Sequence, residues 1–210
     1  LKNQLVRFWT ENFSFTGSEL NAFVEVDRRH FVIDDFRHLA YEDVPLPLIR
    51  GKTISQPTTV MIMTNALELQ DGEKVFEVGT GSGYQAAIIA KIVGRGKVIT
   101  TEVIPELIAF SRGNLKKAKI NNVEVYEEEG SKGMVNEAPF DKIIITAACK
   151  EFPEELLKQL KPNGIIVAPI GGKYEQQMIK AMKHENGIIE QVSLGPFLFT
   201  PLYGKYGFEV

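Results

Sequence analysis

Three glycines alternate in Glu77-Val78-Gly79-Thr80-Gly81-Ser82-Gly83, behind the apolar run Val75-Phe76 and ahead of the apolar stretch Ala86 to Val93. Glycine at such places lets the backbone turn sharply and lets a ligand reach the peptide plane with no Cβ in the way. A bare strand-to-helix turn would need one glycine. Three of them make Gly79, Thr80, Gly81, Ser82 and Gly83 candidate ligand contacts. A dinucleotide fingerprint would place its third glycine where Tyr84 stands, and a P-loop would need Gly-Lys-Ser/Thr where Tyr84-Gln85 stands. Glu77 would also repel a phosphate.

An acidic glycine loop suits a ligand that is cationic and free of phosphate. Glu102 strengthens that expectation, because it ends the next apolar run about 20 residues on, where a carboxylate can accept both hydroxyls of a ribose. A ligand with a sulfonium, an ammonium and a ribose diol is S-adenosylmethionine. Glu129 and Gly130 stand after a third apolar run and could flank its adenine, although Glu127-Glu128-Glu129 also reads as a solvated charge run. Thr146 ends a fourth run and reads equally as a strand residue or as a cofactor contact at the sheet's carboxyl edge.

These residues must be positioned by alternating elements. Strands are expected at Lys74 to Val78, Lys97 to Thr101, Val123 to Tyr126, Lys142 to Thr146 and Ile165 to Ala168. Helices are expected at Gln85 to Val93, Pro105 to Ala118 and Pro153 to Leu160, the last stopped by Lys161-Pro162-Asn163-Gly164. The alternation predicts an α/β fold, a doubly wound and mostly parallel sheet. Asn186-Gly187 between two apolar runs is a hairpin signal, so the sheet should end in an antiparallel pair. A helix from Pro57 would show Val60, Met63 and Leu67 as its apolar stripe. Residues 1 to 52 read as irregular, with one helix at Ser18 to Arg28 behind a capping box of Thr16 and Glu19. We therefore expect residues 1–56 as a small N-terminal helical appendage on the substrate side and 57–210 as the cofactor-binding core, packed as one unit.

Composition bounds the partners. The chain has 210 residues, 44% hydrophobic, with a net charge of −3, which suits a folded globular unit. A single cysteine, Cys149, excludes an internal disulfide framework, and with three histidines leaves no spaced set for structural zinc, so no metal is expected. No run approaches the ~18 apolar residues of a membrane span, and the slight acidity argues against a nucleic-acid partner. Cytoplasmic residence is the expectation. The opening Leu1, without an initiator methionine or a charged-then-apolar leader, leads us to expect a start inside a longer encoded chain.

Several segments together resemble one family. Glu77 to Tyr84, Thr53-Ile54-Ser55-Gln56-Pro57, Ala138-Pro139-Phe140-Asp141-Lys142-Ile143-Ile144, Thr146-Ala147-Ala148, Leu160-Lys161-Pro162-Asn163-Gly164 and Phe197 to Leu202 look like the protein-L-isoaspartate O-methyltransferases. The glycine motif alone would mark only a class I methyltransferase. Thr53 to Pro57 is much more specific, and the likeness runs from Phe23 to Leu202. It departs at Asp27, where the family tends to have Pro, at Lys52, where it usually has Gln, and at Glu128-Glu129, where it usually has Gly-Asp.

The resemblance implies methyl transfer from S-adenosylmethionine, with S-adenosyl-L-homocysteine as product, to the free carboxylate of L-isoaspartyl residues in damaged peptides and proteins. The ester would then close to a succinimide and reopen partly as normal aspartate. On position alone Ser55 could be the cap of the following helix; the resemblance implies that its hydroxyl holds the acceptor carboxylate. It also implies that Thr53, Ile54, Pro201 and Leu202 lie beside the peptide. A carboxylate is already ionised at neutral pH, so the scarcity of histidine is no obstacle. Two other classes share the cofactor loop: a methyltransferase for RNA or a small molecule, and a module that binds the cofactor without catalysis. An RNA cytosine enzyme would show Pro-Cys where Ala148-Cys149 stands, and an amino-group enzyme would show Asn/Asp-Pro-Pro-aromatic at Thr146-Ala147-Ala148.

Overall fold

A computed structural model describes residues 1–208, so the last two residues of the expected 57–210 core lie outside the described residues. The chain runs α1 (Lys2–Asn12), α2 (Gly17–Glu25), β1 (Leu46–Pro47), β2 (Thr53–Ile54), α3 (Pro57–Ala66), β3 (Lys74–Val78), α4 (Tyr84–Val93) and β4 (Lys97–Glu102). It continues with α5 (Pro105–Lys117), β5 (Val123–Glu127), β6 (Phe140–Ile145), α6 (Glu154–Gln159), β7 (Leu160–Gly171), β8 (Gln176–Lys183) and β9 (Ile189–Phe197). Short 3-10 turns fall at Arg28–His30, Asp34–Leu39, Ile49–Gly51 and Gly130–Lys132. Among the described residues, no helix is long and apolar enough to cross a membrane.

Seven strands form one sheet in the order β5-β4-β3-β6-β7-β8-β9. From β5 to β7 the neighbours are parallel, and β8 and β9 are antiparallel additions. The chain leaves β3 toward β4 and returns to β6 on its other side. A crevice therefore opens between the carboxyl ends of β3 and β6, the place where open α/β sheets bind ligands.

Alternation along β3 and β6 sends side chains to two cores. Val75 and Ile144 join Ala86, Ile88 and Ile89 of α4 on one face, and Phe76, Val78, Ile143 and Ile145 join Phe140 and Leu156 on the other. Phe76 and Phe140 stack with ring centroids 4.9 Å apart. Each of the Val, Ile, Leu and Phe side chains among them contributes about 1.5–3 kcal/mol by leaving water.

The N-terminal segment has no separate core. Trp9, Phe23 and Phe31 are fully buried in the same cluster as α3 and α4. The capping box of α2 is present, with Thr16 Oγ1 accepting from Glu19 N and Glu19 Oε2 accepting from Thr16 N at 2.7 Å. That helix ends at Glu25 and not at Arg28, because Asp27 caps a new 3-10 turn through Arg29 N.

Three expectations are corrected. The first 52 residues hold a second helix, α1, and so are less irregular than they read. Lys161 to Gly164 does not stop the chain before a strand; it lies within β7, where Asn163 adopts φ 61° and the register with β6 shifts between Phe140 and Lys142. Helix α3 shows no stripe, since eight of its ten residues are buried.

Candidate functional site

The turn after β3 needs its glycines. Gly79, Gly81 and Gly83 have φ of 97°, 53° and 84°, in the left-handed range where side chains are strained. A Cβ on Gly79 would lie 2.7 Å from Thr146 Oγ1, and one on Gly83 would lie 3.3 Å from Ser111 Cβ of α5. Four of the five loop amides are already used. Gly79 N and Thr80 N donate to Thr101 O at 2.9 and 3.0 Å, Gly81 N donates to Glu102 Oε2 at 3.0 Å, and Gly83 N donates to Thr80 O at 2.8 Å. A phosphate cradle would point such donors at its ligand. Here three turn onto the end of β4 and the fourth closes within the loop.

A cleft of about 910 Å³, counting its open mouth, lies over the loop. Gly79, Thr80, Gly81, Ser82, Glu102, Glu129, Gly130 and Thr146 line it, and so do Thr53, Ile54, Ser55, Pro201 and Leu202. All these sequence candidates thus converge on one cavity. Glu102 is nearly buried; its Oε1 also accepts from Val103 N at 2.9 Å and Ile104 N at 3.2 Å. Those donors fix the carboxylate at the rim. Gly130 packs where a Cβ would sit 2.3 Å from Thr101 Oγ1, and Glu129 Oε1 accepts from Ser131 N at 2.9 Å, holding the turn that follows.

Three candidates stand differently from expectation. Thr146 spends its hydroxyl on the loop, donating toward Gly79 O at 2.6 Å and Val78 O at 3.1 Å, so it braces the turn while lining the cleft. Gly83 sits behind the cleft wall against α5. Glu77 does not line the cleft either. It is fully buried, accepts from Thr100 Oγ1 at 2.5 Å, and leaves Oε1 without a partner. Burial pushes its carboxyl up to about 8, against the Thr100 hydrogen bond and with Glu102 adding to the rise. Glu77 is thus a neutral acid under the loop at pH 7, where an anion meeting a cation was expected. Desolvation outweighs the attraction that the sequence reading assumed.

Ser55 follows the two-residue pairing of β1 with β2 and precedes α3. Gln56 takes the cap position, and Asp43 does the capping: its Oδ1 accepts from Thr58 N at 2.8 Å and its Oδ2 from Thr58 Oγ1 at 2.7 Å. The cap reading of Ser55 is therefore displaced. Opposite it, Ala148 N donates to Thr200 O at 2.8 Å and Leu202 N donates to Ala148 O at 2.9 Å, which lays Thr200 to Leu202 along the cleft. Cys149 is buried, with its thiol pushed up to about 12 by desolvation, and is no nucleophile.

Sequence reasoning missed several lining residues. Lys52, Val103, Glu128, Thr200 and Tyr203 face the cleft, as do Tyr84 and Met63, the latter expected in an apolar stripe. Their proximity to Thr53, Glu102, Glu129 and Pro201 in the chain was the available signal.

A switch-point sheet with a glycine loop unsuited to phosphate defines the class I methyltransferase fold. The family model described as Protein-L-isoaspartate(D-aspartate) O-methyltransferase (PCMT) matches residues 3–207. A relative from Archaeoglobus fulgidus, protein-L-isoaspartate O-methyltransferase 2, is 47% identical over 209 residues, covering 99% of this chain and 95% of its own. Another, from Hyperthermus butylicus, is 46% identical over 197 residues, covering 90% and 82%. Among solved structures, a protein-L-isoaspartate O-methyltransferase superposes with a TM-score of 0.90 at 25% identity, over 99% of this chain and 67% of that one. A PCMT chain from Plasmodium falciparum, solved in complex with S-adenosyl-L-homocysteine, gives 0.82 at 25% identity over 96% and 98%. This chain belongs to the protein-L-isoaspartate(D-aspartate) O-methyltransferase family, and its activity is methylation of isoaspartyl residues in protein repair.

Proposed function

We propose that the cleft seats S-adenosylmethionine on Gly79 to Ser82, Glu102, Glu129 and Gly130, and the free carboxylate of an L-isoaspartyl residue beside Thr53, Ile54 and Ser55. The observation that carries this reading is the single cavity joining the glycine loop to Ser55 and to Thr200 through Tyr203. The residues fit the cofactor. Four occupied loop amides disfavour a phosphate, and the fixed Glu102 carboxylate keeps one lone pair, on Oε2, for a ribose hydroxyl. The bound cofactor supplies an electrophilic methyl group.

Ser55 donates its hydroxyl to one carboxylate oxygen and leaves the other free to react. It orients and does not attack. The acceptor is an anion at neutral pH, so no general base is required. Buried Ile54, Val60, Met63 and Leu202 strip water from that anion. The carboxylate becomes a neutral ester, charge is lost on the way, and a dry wall favours the change. Pro201 and Leu202 form the facing wall against the peptide.

Labelled methyl transfer to an isoaspartyl peptide, compared with its aspartyl twin, tests this. Label is expected in the isoaspartyl peptide alone. Equal labelling of the two would overturn the acceptor assignment.

A further inference from the structure

The cleft is electrically lopsided. Glu102, Glu128 and Glu129 line it on the side of the glycine loop, and Lys52 is its only basic lining residue among the described residues. Lys52 immediately precedes Thr53, Ile54 and Ser55. Arg50 and Gly51, with φ of 56° and 65°, make the turn that places it, and Leu48 N closes that turn by donating to Lys52 O at 2.7 Å. Arg50 itself is taken, since its guanidinium is paired with Glu106. The Lys52 Nζ lies 4.4 Å from the centroid of the Tyr203 ring, half-buried at the junction of the two acceptor walls. An aromatic face holds an ammonium there while its remaining donors stay open to an anion.

The reacting carboxylate is a poor partner for this ammonium. That group turns from anion to neutral ester, so a cation bonded to it would stabilise the starting state more than the transition state. A second carboxylate on the peptide is not consumed and meets no such conflict. We infer that Lys52 is a specificity-determining residue that reads a second carboxylate beside the isoaspartyl residue, on an Asp or Glu side chain or on a nearby peptide C-terminus. The inference rests on the acceptor assignment above. A glutamine at this position would have no charge with which to read one.

The test uses isoaspartyl peptides with an acidic, a neutral or a lysine neighbour, each with a free or an amidated C-terminus. KM and kcat are measured alongside peptide binding by competition against a fluorescent isoaspartyl peptide, with S-adenosyl-L-homocysteine present. The acidic-neighbour peptide should show a KM about fivefold below the neutral one at about 50 mM salt, and the gap should close by about 500 mM. Lys52→Gln should bring that ratio close to one, in binding as in KM, and Lys52→Glu should invert it toward the lysine-neighbour peptide. Calorimetric affinity for S-adenosyl-L-homocysteine checks that both variants are folded. The free-against-amidated pairs tell a side-chain carboxylate from a terminal one. A wild-type ratio equal to that of Lys52→Gln, or one that persists at high salt, overturns the inference while leaving the acceptor assignment intact. Failure of the wild type to bind or methylate isoaspartyl peptides ahead of aspartyl twins removes the assignment and the inference together.

Discussion

The two ends of the cleft are built in opposite ways. The glycine end is five consecutive residues clamped from both neighbouring strands, by Thr101 and Glu102 on β4 and by Thr146 after β6. The acceptor end joins residues 52–55 to residues 200–203, segments from opposite ends of the chain. Each has a short backbone pairing, β1 on β2 in one case and Ala148 with Thr200 and Leu202 in the other, with single anchors beside it such as Phe199 N on Gln176 Oε1 at 2.8 Å. An invariant cofactor can be met by a rigid mould. Peptides that share only one damaged residue call for a surface with fewer fixed points, and such surfaces come from lightly anchored loops.

The sharpest way to break this contrast is Gly79→Ala. Its Cβ would sit 2.7 Å from Thr146 Oγ1 on a backbone with φ 97°, so strain of about 1–3 kcal/mol adds to the clash. Affinity for S-adenosyl-L-homocysteine, measured by calorimetry, should drop about 100-fold. A loss under threefold would mean that the mould yields. Ser55→Ala probes the other end. Losing a hydrogen bond to a charged group, worth ~1.5–3 kcal/mol, should lower kcat/KM about 30-fold, with product affinity held within about twofold. Full turnover in that variant would remove Ser55 from the mechanism.

The smallest expected effect concerns what lies beneath the mould. Glu77 is raised from 4.5 to about 8 by burial, so the stability it contributes is complete below pH 4.5 and is lost as pH rises through about 8. The wild-type melting temperature should therefore fall a few degrees further between about pH 5 and 9 than that of Glu77→Gln, which cannot ionise. Parallel curves would show that Glu77 keeps its charge under the loop.

The same contrast explains what the sequence could disclose. Strands β3, β4 and β6 and helices α4 and α5 carry their own patterns, and the glycine loop is contiguous, so its neighbourhood was legible. Helix α1 was not, because Trp9 is its only buried residue and no side chain caps it. Pro162-Asn163-Gly164 reads as an ending because those residues punctuate chains, yet here they bulge within β7. The pairing of Lys52 with Tyr203 joins residues from the two ends of the chain, and no local spacing encodes it. Glu77 lies under the loop, off the cleft, and is protonated where a charge was expected, since burial is a property of the fold and not of the residue.

Trp9, the only tryptophan of the chain, has a further consequence. Its indole Nε1 donates to Thr58 Oγ1 at 2.8 Å, and Thr58 sits in the first turn of the helix that follows Ser55. Every photon of tryptophan emission therefore comes from one dry, hydrogen-bonded indole at the joint between the amino-terminal helix and the serine turn. The molecule carries its own optical gauge of that joint, readable with no dye attached and no methyl group transferred.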